Sequence, residues 1–322
     1  MTNLSAYSRR YSLTYIPFNL AEETIQLSSN DNNSQSFNIQ FDLERSMPIY
    51  MNTPNFNRCV IKIYNLGGDT AKAIQKSGYF IFELGYEGST NEVFAGTLSS
   101  ATFGKENGDR FIELNLVSGV ISRKDRYFSR SYAKGTLRSK IVQDLISAYN
   151  KSYFGESSDQ TLKVTSKDTF IYKTAQTLRG DIVQLLASQL PNYNVVVNNR
   201  KIEIYPKTIS GSYAKTRTSI FDLSYEFGLI DINFTSDASL AGVNKNYAGA
   251  TMKTVLYPQI DINNVIRISS SNNQDSYDAV LGISSNESLY YRVKSIRHSG
   301  QIYGGEFVSE IKGELLETMT GT

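Results

Sequence analysis

The strongest constraint on this chain is the strict period of two in its short apolar runs. Phe37, Ile39, Phe41 and Leu43 alternate with Asn38, Gln40, Asp42 and Glu44. One side of an extended segment is therefore apolar and the other polar, which predicts a half-buried strand. Similar runs follow as CVIKIYNL (Cys59 to Leu66), YFIFELGYEG (Tyr79 to Gly88), EVFAGTLSSATF (Glu92 to Phe103) and FIELNLV (Phe111 to Val117). The stretches GSTN and KENGD supply the Gly and Asn that tight reversals need. Between the second and third runs, GGDTAKAIQKSG predicts a short helix capped by Asp69 and ended by Gly78. A meander of strands with one inserted helix predicts a barrel with a helix packed on it.

The middle of the chain has a different period. TLRSKIVQDLIS (Thr136 to Ser147) and TLRGDIVQLLAS (Thr177 to Ser188) agree at eight of twelve positions, and both carry apolar residues at helical spacing. They read either as a small duplication of helical units or as two amphipathic helices that share residues by chance. NVVVNNRKIEIYP then predicts a hairpin around Asn198 and Asn199. From about Phe227 the chain returns to β runs: LIDINFT, MKTVLYP, NVIRISS, YYRVKSIRH and EFVSEIKGELL. A Ser- and Asn-rich loop, Ser271 to Leu289, interrupts them. The expected layout is mainly β with an α/β insert: residues 1–121 a β-barrel, 122–210 a small α/β domain, 211–322 a second β-barrel.

Composition excludes several chemistries. One cysteine, Cys59, makes no internal disulfide, and one cysteine with one histidine makes no Cys/His zinc site. A net charge of +2 carries no strong message about a polyanionic partner. The N-terminus has no apolar stretch of signal-peptide length and no run of eighteen apolar residues occurs, so the expectation is a soluble protein of a reducing cytoplasm. The lone histidine, His298, has Ser295 and Ser299 nearby, but neither serine sits in a G-x-S-x-G elbow, and strand neighbours point to opposite faces. It reads as a histidine fixed by local hydrogen bonds. The Gly pairs of YGGE and NLGGD read as turns, with no phosphate-binding loop around them. A spatial pair of carboxylates for glycoside hydrolysis stays open, although no acidic cluster stands out. The expectation is no catalytic residue, no cofactor and no metal.

Ser122 to Lys140 holds Arg123, Lys124, Arg126, Arg130, Lys134, Arg138 and Lys140 against one acid, Asp125, interleaved with Tyr127, Phe128 and Tyr132. Three uses fit: stacking on nucleic-acid bases, a solvated linker into a helix, or docking on an acidic face of another subunit. Twenty-two tyrosines suit sheet surfaces, protein contacts or sugar platforms.

YPQIDINNVIRISS followed by YYRVKSIRHSGQIYGGEFVSEIKGE resembles the C-terminal barrel of phage baseplate hub proteins, the family of the T-even hub and its relatives in Mu-like and other contractile tails. Pro258, Ile260, Val265 and Ile268 match the first part of that pattern; Tyr291, Val293, Ile296, His298, Gly300, Gly304 and Gly305 match the second. The run from Asn57 to Phe103 is similar to the family's first barrel, and the resemblance covers most of Phe37 to Val120 and Gly228 to Glu314. Asn264 stands where a turn glycine is common, and the loop after it is long. The resemblance implies two tail-tube-like barrels per chain and a homotrimer that adapts a sixfold tail tube to a threefold spike. It implies a structural protein of the virion baseplate, with no membrane and no specific nucleic-acid binding. Its partners would be tube or tube-initiator proteins, neighbouring baseplate proteins and, because the chain stops at Thr322, a spike on a separate chain. His298 would then order the turn that leaves a barrel strand. A glycan-binding or distal-tail module and a cell-wall hydrolase are the competing classes.

Overall fold

The computed structural model describes residues 9–19, 21–29, 37–48, 55–118, 127–154, 170–199, 201–208, 219–235, 248–269 and 288–316. Its first part runs β1 (Arg9–Pro17), β2 (Ile25–Ser28), β3 (Ile39–Ser46), β4 (Asn55–Phe56), β5 (Arg58–Tyr64), α1 (Gly68–Ala73), β6 (Gly78–Tyr86), β7 (Ser89–Glu106) and β8 (Asp109–Ser118). Next come β9 (Tyr127–Tyr132), α2 (Arg138–Phe154), β10 (Gln176–Asp181), α3 (Ile182–Gln189), β11 (Tyr193–Asn198) and β12 (Lys201–Pro206). The last part is β13 (Ile220–Leu223), a 3-10 turn (Tyr225–Phe227), β14 (Leu229–Thr235), β15 (Gly249–Val255), β16 (Val265–Ser269), β17 (Ser288–Gln301) and β18 (Phe307–Leu315). The protein is mainly β with few helices.

The predicted alternation sets the register. Ile39, Phe41 and Leu43 of β3 are buried, and Leu43 faces Cys59 across the ladder to β5. Leu13, Phe82, Ile61, Leu114 and their neighbours complete one core, so the first sheet curls around its own apolar face. At the lip of the curl the Tyr11 hydroxyl donates to the Phe37 carbonyl at 3.3 Å and accepts from the Phe37 amide at 3.2 Å. A side chain there links β1 to the residue ahead of β3. Among the described residues the sheet has three terminal strands, β2, β14 and, on a branch through β16, β13, and no pairing joins them.

Two hairpins show why the turns fall where they do. Asn107 (φ 50°) and Gly108 (φ 95°) form the two-residue turn between β7 and β8, both in the left-handed region that such a turn requires. Glu87 and Gly88 close the preceding hairpin, so Ser89, Thr90 and Asn91 of the expected GSTN turn lie in β7 instead. The short helix also starts differently. Gly67 is its N-cap and makes no side-chain capping bond; Asp69 sits in the first turn, and Gly78 opens β6.

Thr177 to Ser188 is not one helix. Residues Gln176–Asp181 are β10, paired antiparallel with β9, and the helix begins only at Ile182. Asp181 stops the strand and caps the helix, accepting from the amides of Val183 (3.0 Å) and Gln184 (3.2 Å). In the matching segment the helix begins at Arg138. The shared residues nevertheless meet: Ile141, Val142 and Leu145 pack with Ile182, Val183 and Leu186 in one core, closed by Val195, Val197 and Ile202 of the β11–β12 hairpin.

β17 joins everything. Its first half pairs with β16 and its second half with β3, while β18 pairs along its other edge. The amino-terminal and carboxy-terminal sheets are thereby one thirteen-stranded sheet. The cores interlock as well. Leu256, Ile302 and Phe307 belong to the first core, and Val196 of the insert belongs to the third, with Met252, Tyr291 and Ile311. The expected domain boundaries near 121 and 210, and most of the Ser271 to Leu289 loop, lie outside the described residues.

Candidate functional site

Register places the chemistry-bearing residues at the seam between the two sheets. On the buried face, Ser309 of β18, His298 of β17, Leu43 of β3, Cys59 of β5 and Leu116 of β8 form one cross-strand row. The adjacent row holds Ile311, Ile296 and Arg45, and the β3–β5 ladder ends at Glu44 and Arg58, the residues next to Arg45 and Asn57. His298 is therefore in the ladder and not in the turn, which spans the glycines beyond Gln301.

His298 is fully buried, and its Nδ1 lies 2.8 Å from the Ser309 hydroxyl, which also accepts from the Tyr257 amide at 2.9 Å. Burial is the main force that pushes its pKa down to about 3; the Arg45 charge adds to this and Asp261 opposes it. The imidazole is neutral at physiological pH. Cys59 is also fully buried, and burial pushes its thiol up, which disfavours the thiolate.

Arg45 is only 2% exposed and donates from Nη1 to Asp261 Oδ2 at 2.9 Å. The same Asp261 oxygen accepts from Asn198 Nδ2 at 2.8 Å, and Asn198 Oδ1 accepts from Asn57 Nδ2 at 2.8 Å. Asn198 ends β11, so the tip of the insert hairpin is held between the two sheets. Its neighbour Asn199 accepts from the Ala95 amide and donates to Glu92, both at 3.0 Å. Ser118 donates to the Val197 carbonyl at 2.8 Å. Asn198 also donates to Glu203, which Tyr205 bonds as well. Burial, then the Asp261 charge, raises the Glu203 carboxyl above its usual range. At the far end of the hairpin the buried Arg292 donates to the carbonyls of Lys207 (3.0 Å) and Pro206 (2.7 Å) and to Asn263 (3.0 Å). Three chain segments distant in sequence are fixed by a chain of buried hydrogen bonds. Such an arrangement sets the relative position of those segments.

The opposite face of the sheet is polar. Asp231, Lys253, Glu310, Arg297, Glu44 and Arg58 occupy one row across six strands and alternate in sign. Arg297 closes a bidentate pair with Asp42 across the seam, at 2.7 and 2.6 Å. Arg9, in a strand that the sequence patterns did not single out, donates to the carbonyls of Gln301, Gly304 and Gly305. The Gly304–Gly305 pair is a turn, with φ of 77° and 61°, whose carbonyls face this guanidinium.

Three of the described cations of the basic stretch have partners within the chain. Arg130 and Lys140 both bind Asp144 at 3.0 Å, and Arg138 lies 4.8 Å above the Phe170 ring. Arg123, Lys124 and Arg126 lie outside the described residues. Among the described residues no His, Cys, Asp or Glu group could hold a metal, and no helix is long and apolar enough to cross a membrane.

The fold as a whole is shared with solved phage tail proteins. A tail protein from Neisseria meningitidis MC58 superposes with a TM-score of 0.54 at 9% identity, covering 94% of this chain and 96% of that one. The 43 kDa tail protein of prophage MuSo2 from Shewanella oneidensis gives 0.55 at 11%, covering 97% and 100%. The E. coli protein c3393, a type VI secretion component described as similar to the T4 tail proteins gp27 and gp5, gives 0.51 at 10%, covering 88% and 75%. No protein-family model and no curated protein sequence matches the chain.

Proposed function

We propose that this chain is a structural hub of a phage or phage-like tail baseplate, acting as a trimeric adapter between a sixfold tail tube and a threefold spike. The observation that carries the reading is the match over nearly the whole of this chain and of two tail proteins, in sequences about a tenth identical. In this reading the amino-terminal and carboxy-terminal parts of the sheet would each serve as one tube-like unit, with the sequence-based division at about residues 121 and 211. Three chains would then present six units to the tube while keeping true threefold symmetry for a spike. Partners are tube or tube-initiator proteins, neighbouring baseplate proteins and further copies of this chain, and the location is the virion tail. The buried seam suits this role, because such an adapter needs its two units held at a fixed angle.

An enzymatic role has no support in the site: the one histidine is buried, neutral and aimed at a structural serine. Charge argues against a nucleic-acid reader, since the long charged row alternates in sign and the described basic stretch is partly neutralised by Asp144. Electron microscopy of the assembled particle tests the proposal. Three copies around the tail axis with pseudo-sixfold density are expected; six or twelve copies, or a chain bound off-axis, would overturn it.

A further inference from the structure

The seam contains polar atoms that the hydrogen-bond chain leaves over. Arg45 spends Nη1 on Asp261, while its Nε and Nη2, the two nitrogens that form a parallel donor fork, have no partner among the described residues. Asn57 Oδ1 and His298 Nε2 are likewise buried and unpartnered. The three side chains are 2%, 1% and 0% exposed.

They are also neighbours by hydrogen bonding and register. Asp261 and Asn198 link Arg45 to Asn57 through three bonds of 2.9, 2.8 and 2.8 Å, and His298 lies one row away on the adjoining strand, on the same face. We propose that the seam encloses a built hydration site, in which a pair of water molecules bonds the Arg45 fork, Asn57 Oδ1 and His298 Nε2.

Donor and acceptor bookkeeping selects water over other occupants. The Ser309 hydroxyl oxygen accepts from Tyr257 and keeps a hydrogen and a second lone pair, so it meets His298 Nδ1 in either tautomer and Nε2 is correspondingly a donor or an acceptor, both of which water answers. The site then presents at least three N–H donors and one carbonyl acceptor. Two waters bonded to each other keep three acceptor positions for those donors and have hydrogens to spare for Asn57 Oδ1. A halide or carboxylate would satisfy the donors but offers nothing to Asn57, and it would add negative charge beside Asp261 and Glu203. A dry void leaves every one of these groups unpaired, which native interiors avoid. The waters would make the contact between β3, β5 and β17 hydrated at its centre while the surrounding rows remain apolar.

The test is a crystal structure of the full chain, at a resolution that shows single waters, grown with bromide in place of chloride and measured at the bromine edge. Two ordered peaks about 2.7 to 3.2 Å from the named atoms, without anomalous signal, are expected. An anomalous peak, an empty site or a protein group on the Arg45 fork each overturns the proposal. In the variant Asn57→Asp the new carboxylate should take the Arg45 fork directly and displace at least one water. Both peaks persisting unchanged would show that Asn57 is not one of the ligands.

Discussion

Stability against acid should be governed in large part by His298. In the unfolded chain its imidazole titrates near the usual value of about 6.5, while in the folded protein burial, with help from Arg45, holds it at about 3. The unfolded state therefore binds a proton that the native state refuses between these two values, and stability falls as pH falls through that window. The slope is one proton, about 1.4 kcal/mol per pH unit, so roughly 3 kcal/mol disappears between pH 7 and pH 4. Carboxylates elsewhere add their own pH dependence, which a variant isolates. His298→Leu loses the Ser309 bond and should be about 1 to 3 kcal/mol less stable than the parent at pH 7. Lacking the titrating group, it should also lose roughly 3 kcal/mol less than the parent on going to pH 4. Urea unfolding of both proteins at both pH values measures the difference of differences. Because the chain has one histidine, its imidazole resonance needs no assignment and gives the folded pKa directly. A midpoint near 6.5 in the folded protein, or parallel pH dependence in the two proteins, would refute the reasoning.

Three further outcomes follow from particular contacts. Asp261→Ala leaves the buried Arg45 charge without its carboxylate and should cost about 3 to 5 kcal/mol in denaturant titration, a loss that Arg45→Met in the same background should partly restore. Leu186→Ala opens the core shared by α2, α3 and the β11–β12 hairpin and should cost about 2 to 5 kcal/mol; a cost under one would mean that the two helices do not share that core. Arg130→Glu sets like charges beside Asp144 at an exposed site, so filter binding should show no change in affinity for DNA and melting should show a destabilisation of about 1 kcal/mol or less. A salt-sensitive DNA affinity lost on that change would restore the nucleic-acid reading.

Strands with an apolar and a polar side were legible from the chain alone, because the period of two is a local property. β3, β5, β6 and β8 stand where Phe37 to Val117 placed them, and Asn107–Gly108 reverses the chain where such a pair must. β1 was not singled out, although Tyr11, Leu13 and Tyr15 alternate with Ser12 and Thr14; its partners β2 and β6 give that alternation its meaning. The TLRGD segment is the opposite case. Its likeness to TLRSK suggested helix, but β9 offers it an edge to pair with, and Asp181 can cap a helix only if the helix starts after it. Local pattern was outweighed by a partner more than forty residues away.

The buried seam divides along the same line. That Arg45 follows Ile39, Phe41 and Leu43 on the inward side is written in the alternation, and so is the scarcity of chemistry in a chain with one histidine and one cysteine. That Arg45 is answered by Asp261, that Asn198 reaches between two sheets, and that His298 stands in the ladder beside Leu43 were decided only by tertiary structure. Sequence determines which face of a strand is buried, since that depends on neighbours two residues apart. Which strands lie side by side depends on the free energy of whole sheets packing together, and no short stretch of residues contains it.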